Sequence, residues 1–97
     1  MNVGVCRVSL RLPENQSLKG KRRVLKSITT RVRNKFNVSV AEVDDNNLWQ
    51  RVTLGICCVS NDNRYNNEVL SKVVDFIADS RFEIEMLDYE IEILSVL

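Results

Sequence analysis

The feature that most constrains the fold is the order of two apolar patterns along the chain. In some stretches every second residue is apolar, and between these lie two stretches in which apolar residues recur every three or four positions. Alternation is typical of a strand with one buried face, and the wider spacing is typical of an amphipathic helix. In the first alternating stretch, residues 3–12, the even-numbered side chains are predicted to face the core. Pro13 ends this strand, because proline cannot donate a hydrogen bond to a strand ladder.

The first helical stretch follows Ser17, which is a favourable N-cap residue. Its apolar stripe consists of Leu18, Leu25, Ile28, Val32 and Phe36, with Val24 at the margin. Gly20 weakens the first turn, so we predict that the helix starts only at Lys21. Asn37 is predicted to close it.

A hairpin and a second helix come next in the chain. The strands of the hairpin begin at Val38 and at Gln50, and the polar residues 44–47 supply the turn between them. The second of these strands extends to Ser60. The helix that follows is predicted from caps at Ser60, Asn61 and Asp62 and from an apolar stripe of Val69, Leu70, Val73, Phe76 and Ile77.

The last stretch, residues 81–97, changes its parity midway. Phe82, Ile84 and Met86 occupy even positions, whereas Leu87, Tyr89, Ile91 and Ile93 occupy odd positions. A shift of one residue turns every later side chain to the opposite face of a sheet. We therefore predict a β-bulge or a break between Met86 and Asp88.

The element order is thus β-α-β-β-α-β, which predicts one domain over residues 1–97. With right-handed crossovers, this order gives a ferredoxin-like α+β sandwich. In such a sandwich two helices cover one face of a four-stranded antiparallel sheet. The 44% content of hydrophobic residues fits a globular protein.

The composition excludes several chemistries. The chain has no histidine and three cysteines, Cys6, Cys57 and Cys58. Without histidine there is no Ser-His or Cys-His nucleophile pair and no mixed Cys/His zinc site. No paired carboxylates and no phosphate-binding loop stand out, so we predict a protein that is not an enzyme and needs no cofactor or metal. The sequence has no apolar run of about 20 residues and no signal-peptide pattern, which predicts a cytoplasmic protein with free thiols.

Charge is divided unevenly along the chain. Residues 1–41 contain ten Lys or Arg residues and one acidic residue. Residues 42–97 contain four Lys or Arg residues and twelve acidic residues. Cations in the first turn of a helix oppose its dipole, and the free N–H groups there already attract anions. We therefore predict that the first helix contacts RNA backbone or ribosomal particles. The predicted anion- and nucleic-acid-binding residues are Lys19, Lys21, Arg22, Arg23, Lys26 and Arg33.

A simpler interpretation of the same residues is an ordinary charged surface helix. Lysine and arginine stems can lie along apolar surface while their charged ends stay in water. Lys21 falls inside the apolar stripe by its angle on the helix, as this interpretation requires.

The open face of the sheet supports an alternative function. Its two central strands carry no aromatic residue on that face, which excludes base stacking there. Its apolar residues, joined by Leu87, Tyr89, Ile91 and Ile93 after the parity change, are predicted to form a patch. This patch suits a homodimeric interaction module, or cover by the C-terminal segment of the same chain. Trp49 and Arg51 are the predicted partner contacts, although a lone tryptophan is more often a rim residue of the core.

Four segments carry a family resemblance: residues 17–23 (SLKGKRR), 33–44 (RNKFNVSVAEVD), 48–51 (LWQR) and 59–62 (VSND). Together they resemble the YlxP-like bacterial family, a domain of unknown function, over nearly the whole chain. The resemblance implies a ferredoxin-like fold and no assigned reaction. Genes of this family tend to lie among genes for translation and ribosome maturation, which implies an RNA or ribosome partner. The sequence departs from the family at residues 55–58 (GICC), where relatives are more plainly aliphatic.

Overall fold

The computed structural model describes residues 1–80 and 83–97. The elements along the chain are β1 (Asn2–Arg11), α1 (Leu18–Lys35), β2 (Ser39–Asp44), β3 (Arg51–Ser60), α2 (Asn63–Ala78) and β4 (Glu85–Ser95). The strands lie in the order β2-β3-β1-β4, and every neighbouring pair is antiparallel. The predicted ferredoxin-like α+β fold is therefore confirmed.

The core lies between the sheet and the two helices. The even-numbered residues of β1 from Gly4 to Leu10 are buried there, as the alternation predicts. The buried apolar side chains are Cys6, Val8, Leu10, Leu12, Leu25, Ile28, Val32, Val40, Val52, Leu54, Ile56, Cys58, Leu70, Val73, Val74 and Ile77. Each buried Val, Leu or Ile contributes about 1.5–3 kcal/mol relative to an exposed one, so this layer supplies most of the driving force for folding.

Helix α1 begins earlier than the sequence predicts. The Ser17 side chain accepts a hydrogen bond from the Gly20 N–H at 3.0 Å, which confirms the N-cap. The prediction that Gly20 delays the start to Lys21 is wrong, because the Lys21 N–H donates to the Ser17 carbonyl at 3.1 Å and closes the first turn. The helix ends at Lys35, with Phe36 rather than Asn37 as its C-cap residue. No helix in the described part of the chain is long and apolar enough to cross a membrane.

Strand β4 contains the predicted bulge. Ser9 pairs with Asp88 and Leu10 pairs with Met86, so Leu87 is an extra residue opposite β1. The bulge absorbs the change of parity, and the apolar residues on both sides of it face the helices. Ile91 is opposite Cys6 and Ile93 is opposite Gly4 on the helix-facing side, and Ile91 and Ile93 pack against the core.

This geometry corrects the predicted open face. The prediction that placed Tyr89, Ile91 and Ile93 on the open face is wrong, because their partners in β1 point towards the helices. The open face of β4 instead presents Glu90, which forms an ion pair with Arg7 at 2.7 Å. The predicted place of Phe82 in the last strand lies outside the described residues.

The C-terminal segment does not cover the open face. Residues 85–95 form an edge strand beside β1, and the Val96 N–H donates to the Met1 carbonyl at 2.8 Å. Two groups of apolar residues remain on the open face. Val3, Val59 and Leu94 lie side by side on neighbouring strands, and Val5, Val43 and Cys57 line a depression of about 320 Å³ beside Gly55.

Deleting Leu87 is expected to leave the fold intact. The remaining residues of β4 would form a regular ladder, in which Met86 still faces the core and Asp88 still faces the opposite side. Deleting Glu90 while Ile91 stays opposite Cys6 instead moves Asp88 to the position opposite Val8, on the helix-facing side of the sheet. Urea denaturation is expected to show a change within about 1 kcal/mol for the first deletion and a loss of about 1–3 kcal/mol for the second. Equal damage from both would contradict the role assigned to Leu87.

Candidate nucleic-acid interface

Five of the six predicted cations lie exposed along one side of α1. They are Lys19, Arg22, Arg23, Lys26 and Arg33, which we call the basic ridge. At 100° and 1.5 Å per residue they occupy an arc of about 100° and a length of about 21 Å. The first turn of α1 contains no acidic residue. The ridge is therefore a continuous strip of positive charge.

No ion pair in the described part of the chain neutralises the ridge. Within residues 1–80 and 83–97, no carboxylate forms an ion pair with any of its five members. Arg33 donates one hydrogen bond, from Nη2 to the Val40 carbonyl at 2.7 Å, which orients its guanidinium. Arg23 lines a small cleft of about 280 Å³ that Glu14 and Glu83 also line, without a salt bridge between them.

Lys21 does not belong to this surface. Its side chain is 2% exposed. Nζ lies 2.6 Å from the Asp45 carbonyl oxygen, 2.7 Å from that of Leu48 and 2.8 Å from Glu42 Oε2. The prediction that Lys21 binds nucleic acid or another external anion is wrong, because its ammonium group is buried and already contacts Glu42 and two carbonyl oxygens. Its angle on the helix, inside the apolar stripe, is the sequence signal for this burial.

Lys21 holds a loop in place. Residues 45–50, which we call the Trp49 loop, connect β2 to β3 and receive the two carbonyl contacts from Lys21. On the other side, Asn15 Nδ2 donates to the carbonyls of Ser17 and Trp49. Gln50 Nε2 donates to the Asn15 carbonyl at 3.0 Å. The backbone of the loop is thus fixed from both sides.

Trp49 is an exposed residue on this fixed loop. The residue is 54% exposed and is not among those that pack against the core, so it does not take the rim position that is more usual for a lone tryptophan. Trp49 and Arg51 line a cleft of about 730 Å³, together with Asn15, Gln16, Asn47, Leu48 and Gln50. Arg51 Nε lies 3.9 Å from Asp45 Oδ2, an exposed pair that contributes little. The structure therefore brings the two predicted contact residues together.

The amides of Asn15 and Gln50 were not predicted as site residues. They act over a sequence separation of 34 and 35 residues, by joining the segment before α1 to the Trp49 loop. Neither residue belongs to a periodic pattern, so no local signal marks this role.

The cysteines do not form a reactive centre. Burial raises the pKa of the Cys6 thiol to about 11 and also raises the pKa of the Cys58 thiol. The thiolate is the nucleophile, and a raised pKa leaves almost none of it at neutral pH. Cys57 lies on the other face of β3, so the adjacent pair does not share one site.

Fold and surface together define a small ferredoxin-like domain with a basic first helix. The de novo designed protein Foldit4 has a similar fold, with a TM-score of 0.55 and 17% sequence identity over all of both chains. At this identity the likeness concerns the fold alone.

The chain belongs to the family described as "Protein of unknown function (DUF503)", which matches residues 3–91. It is also 51% identical, over 69 residues, to the "Uncharacterized protein YlxP" of Bacillus subtilis (strain 168). That match covers 71% of this chain and 74% of the relative. The resemblance to the YlxP-like family is therefore confirmed.

Proposed function

We propose that this protein is a non-enzymatic, cytoplasmic domain that binds the backbone of RNA through the basic ridge. The observation that carries the proposal is the set of five exposed cations without a carboxylate partner among the described residues. Lysine and arginine contacts to phosphates release counterions, and this supplies most of the sequence-independent affinity for nucleic acids. The tendency of the family's genes to lie among translation genes supports ribosomal RNA as the partner.

The charge of the ridge sets a measurable salt dependence. If all five residues contact phosphates, the slope of log K against log salt is about −3.5 for single strands and about −4.5 for a duplex. The open face of the sheet offers no aromatic platform on its central strands, where Val5, Arg7, Thr53 and Cys57 lie. We therefore expect binding by the ridge to follow phosphate positions rather than base identity.

The test compares two variants of equal net charge. Arg22→Glu with Lys26→Glu reverses two ridge residues, whereas Arg64→Glu with Lys72→Glu reverses two exposed cations of α2. The ridge variant is expected to bind an RNA duplex about tenfold or more weaker at about 0.15 M salt, with a salt slope smaller by about 2. It is also expected to lose co-sedimentation with ribosomal particles. The α2 variant is expected to behave almost as the unchanged protein.

Two results would refute the proposal. One is a salt slope near zero for the unchanged protein, and the other is an equal loss in both variants, which would show only a net-charge effect. The alternative, a homodimer through the open face or β4, has less support because the exposed Arg7–Glu90 ion pair occupies part of that face and Tyr89, Ile91 and Ile93 lie on the helix-facing side. The open face keeps Val3, Val59 and Leu94 as the apolar residues that such a dimer would use. A dimer in light scattering without RNA retention would favour it.

A further inference from the structure

Trp49 is a large, exposed aromatic residue on a loop whose backbone is fixed by hydrogen bonds. Lys21, Asn15 and Gln50 bind the loop around it through directed hydrogen bonds. An aromatic side chain on a preorganised backbone loses little conformational freedom when a ligand covers it, so it is suited to be a binding anchor. No described contact of the indole with an aromatic ring or a cation competes for its face.

The cleft beside Trp49 has the polar groups that a nucleobase needs. Asn15, Gln16, Asn47 and Gln50 all line it. The side-chain amides of Gln16 and Asn47 form no hydrogen bond within the described residues, so they are available to a ligand. Each amide has donors and an acceptor, and unpaired RNA bases are recognised by such groups on their edges and by stacking on aromatic rings.

The charges around the cleft favour a nucleotide over a cationic partner. Arg51 is an exposed guanidinium on its wall. Two acids near the cleft already accept hydrogen bonds within the protein, since Asp45 Oδ2 accepts from Thr53 Oγ1 at 2.8 Å and Asp44 Oδ1 accepts from the Asp45 N–H at 2.8 Å.

The cleft also adjoins the basic ridge. Gln16, on its wall, is followed by the N-cap Ser17 and by the turn that carries Lys19 and Arg22. We propose that this cleft binds one unpaired base of the RNA strand whose phosphates the ridge contacts, with Trp49 stacking on the base and Arg51 contacting a phosphate. This inference rests on the proposed function and adds single-stranded RNA as the preferred form.

The test uses the fluorescence of Trp49, the single tryptophan of the chain. A single-stranded RNA of about 12 nucleotides is expected to quench it, whereas the same RNA in a complete duplex binds the ridge without quenching. Trp49→Ala is expected to weaken binding of the single strand about tenfold or more, and Trp49→Phe by less. The salt slope should stay unchanged, because no phosphate contact is lost. Tyr65→Ala, which removes another exposed aromatic residue, is the matched control and should have no effect.

Three other results would contradict the base-binding cleft, and each can be told apart from failure of the proposed RNA binding by the ridge. RNA binding with the expected salt slope but without quenching, or with full affinity in Trp49→Ala, would leave the ridge as the whole interface. Absence of RNA binding by the unchanged protein would refute both proposals. If Trp49→Ala keeps its affinity for RNA but loses a protein captured from nuclease-treated extract, the cleft is a protein contact instead.

Discussion

Lys21→Met is expected to lower the free energy of unfolding by about 3–5 kcal/mol. The change removes a charge that is enclosed with Glu42 and leaves two carbonyl groups of the Trp49 loop without their donor. Glu42 Oε2 is a buried atom that accepts no directed hydrogen bond in the described structure, so the charge of Lys21 is what compensates it. Urea denaturation gives the loss of stability, and hydrogen exchange of the amides in residues 45–50 should show the loop released.

Two further variants separate the causes of this effect. Lys26→Met, on the exposed side of the same helix, is expected to stay within about 0.5 kcal/mol of the unchanged protein. Combining Lys21→Met with Glu42→Gln should restore part of the loss, since no unpaired charge then remains. If Lys21→Met is as mild as Lys26→Met, the enclosed ion pair is not a determinant of stability.

Gly4→Val is expected to lower the free energy of unfolding by about 2–3 kcal/mol. Gly4 lies on the helix-facing side of β1, where α2 approaches closely. A Cβ atom there would lie 2.8 Å from Leu70 Cδ1, 3.1 Å from Asn66 Cβ and 3.3 Å from Cys58 Sγ. All three neighbours are buried, so the added side chain would push α2 away from the sheet.

The matched control is the same substitution on the opposite face. A Cβ atom at Gly55 would lie 2.7 Å from Val43 Cγ1, but Val43 is an exposed residue in an irregular part of β2 and can move into solvent. We expect Gly55→Val to cost about 1 kcal/mol or less. Thermal denaturation of both variants gives the comparison, and a Gly55→Val loss equal to that of Gly4→Val would contradict it.

The fold was predictable because strands and helices differ in the spacing of their apolar residues. The alternation in residues 3–12 and the stripe of Leu25, Ile28 and Val32 are local signals, and the structure keeps both. The bulge at Leu87 was predictable for the same reason. The face taken by Ile91 depends on a choice that the pattern leaves open, between a bulge and a break. Only a one-residue bulge puts the odd positions after it on the face of the even positions before it.

The candidate site was predictable only in part, because its decisive contacts join distant segments. Lys21 reaches acceptors 24 and 27 residues further along the chain, and a helical pattern contains no information about them. The charge of a lysine predicts exposure, and here a preformed set of oxygen atoms outweighs that preference. The exposure of Trp49 likewise depends on how its loop is fixed.

The two outer strands of the sheet also bear on self-association. An unpaired strand edge is a template for another chain, and proteins discourage such addition with charges, bulges and short strands. Strand β4 carries Glu85, Asp88, Glu90 and Glu92 along with its bulge, and β2 has only 6 residues and an irregularity of its own. Two copies meeting edge to edge would bring like charges together. The sheet is therefore expected to resist growth into fibrils, even when the protein is concentrated.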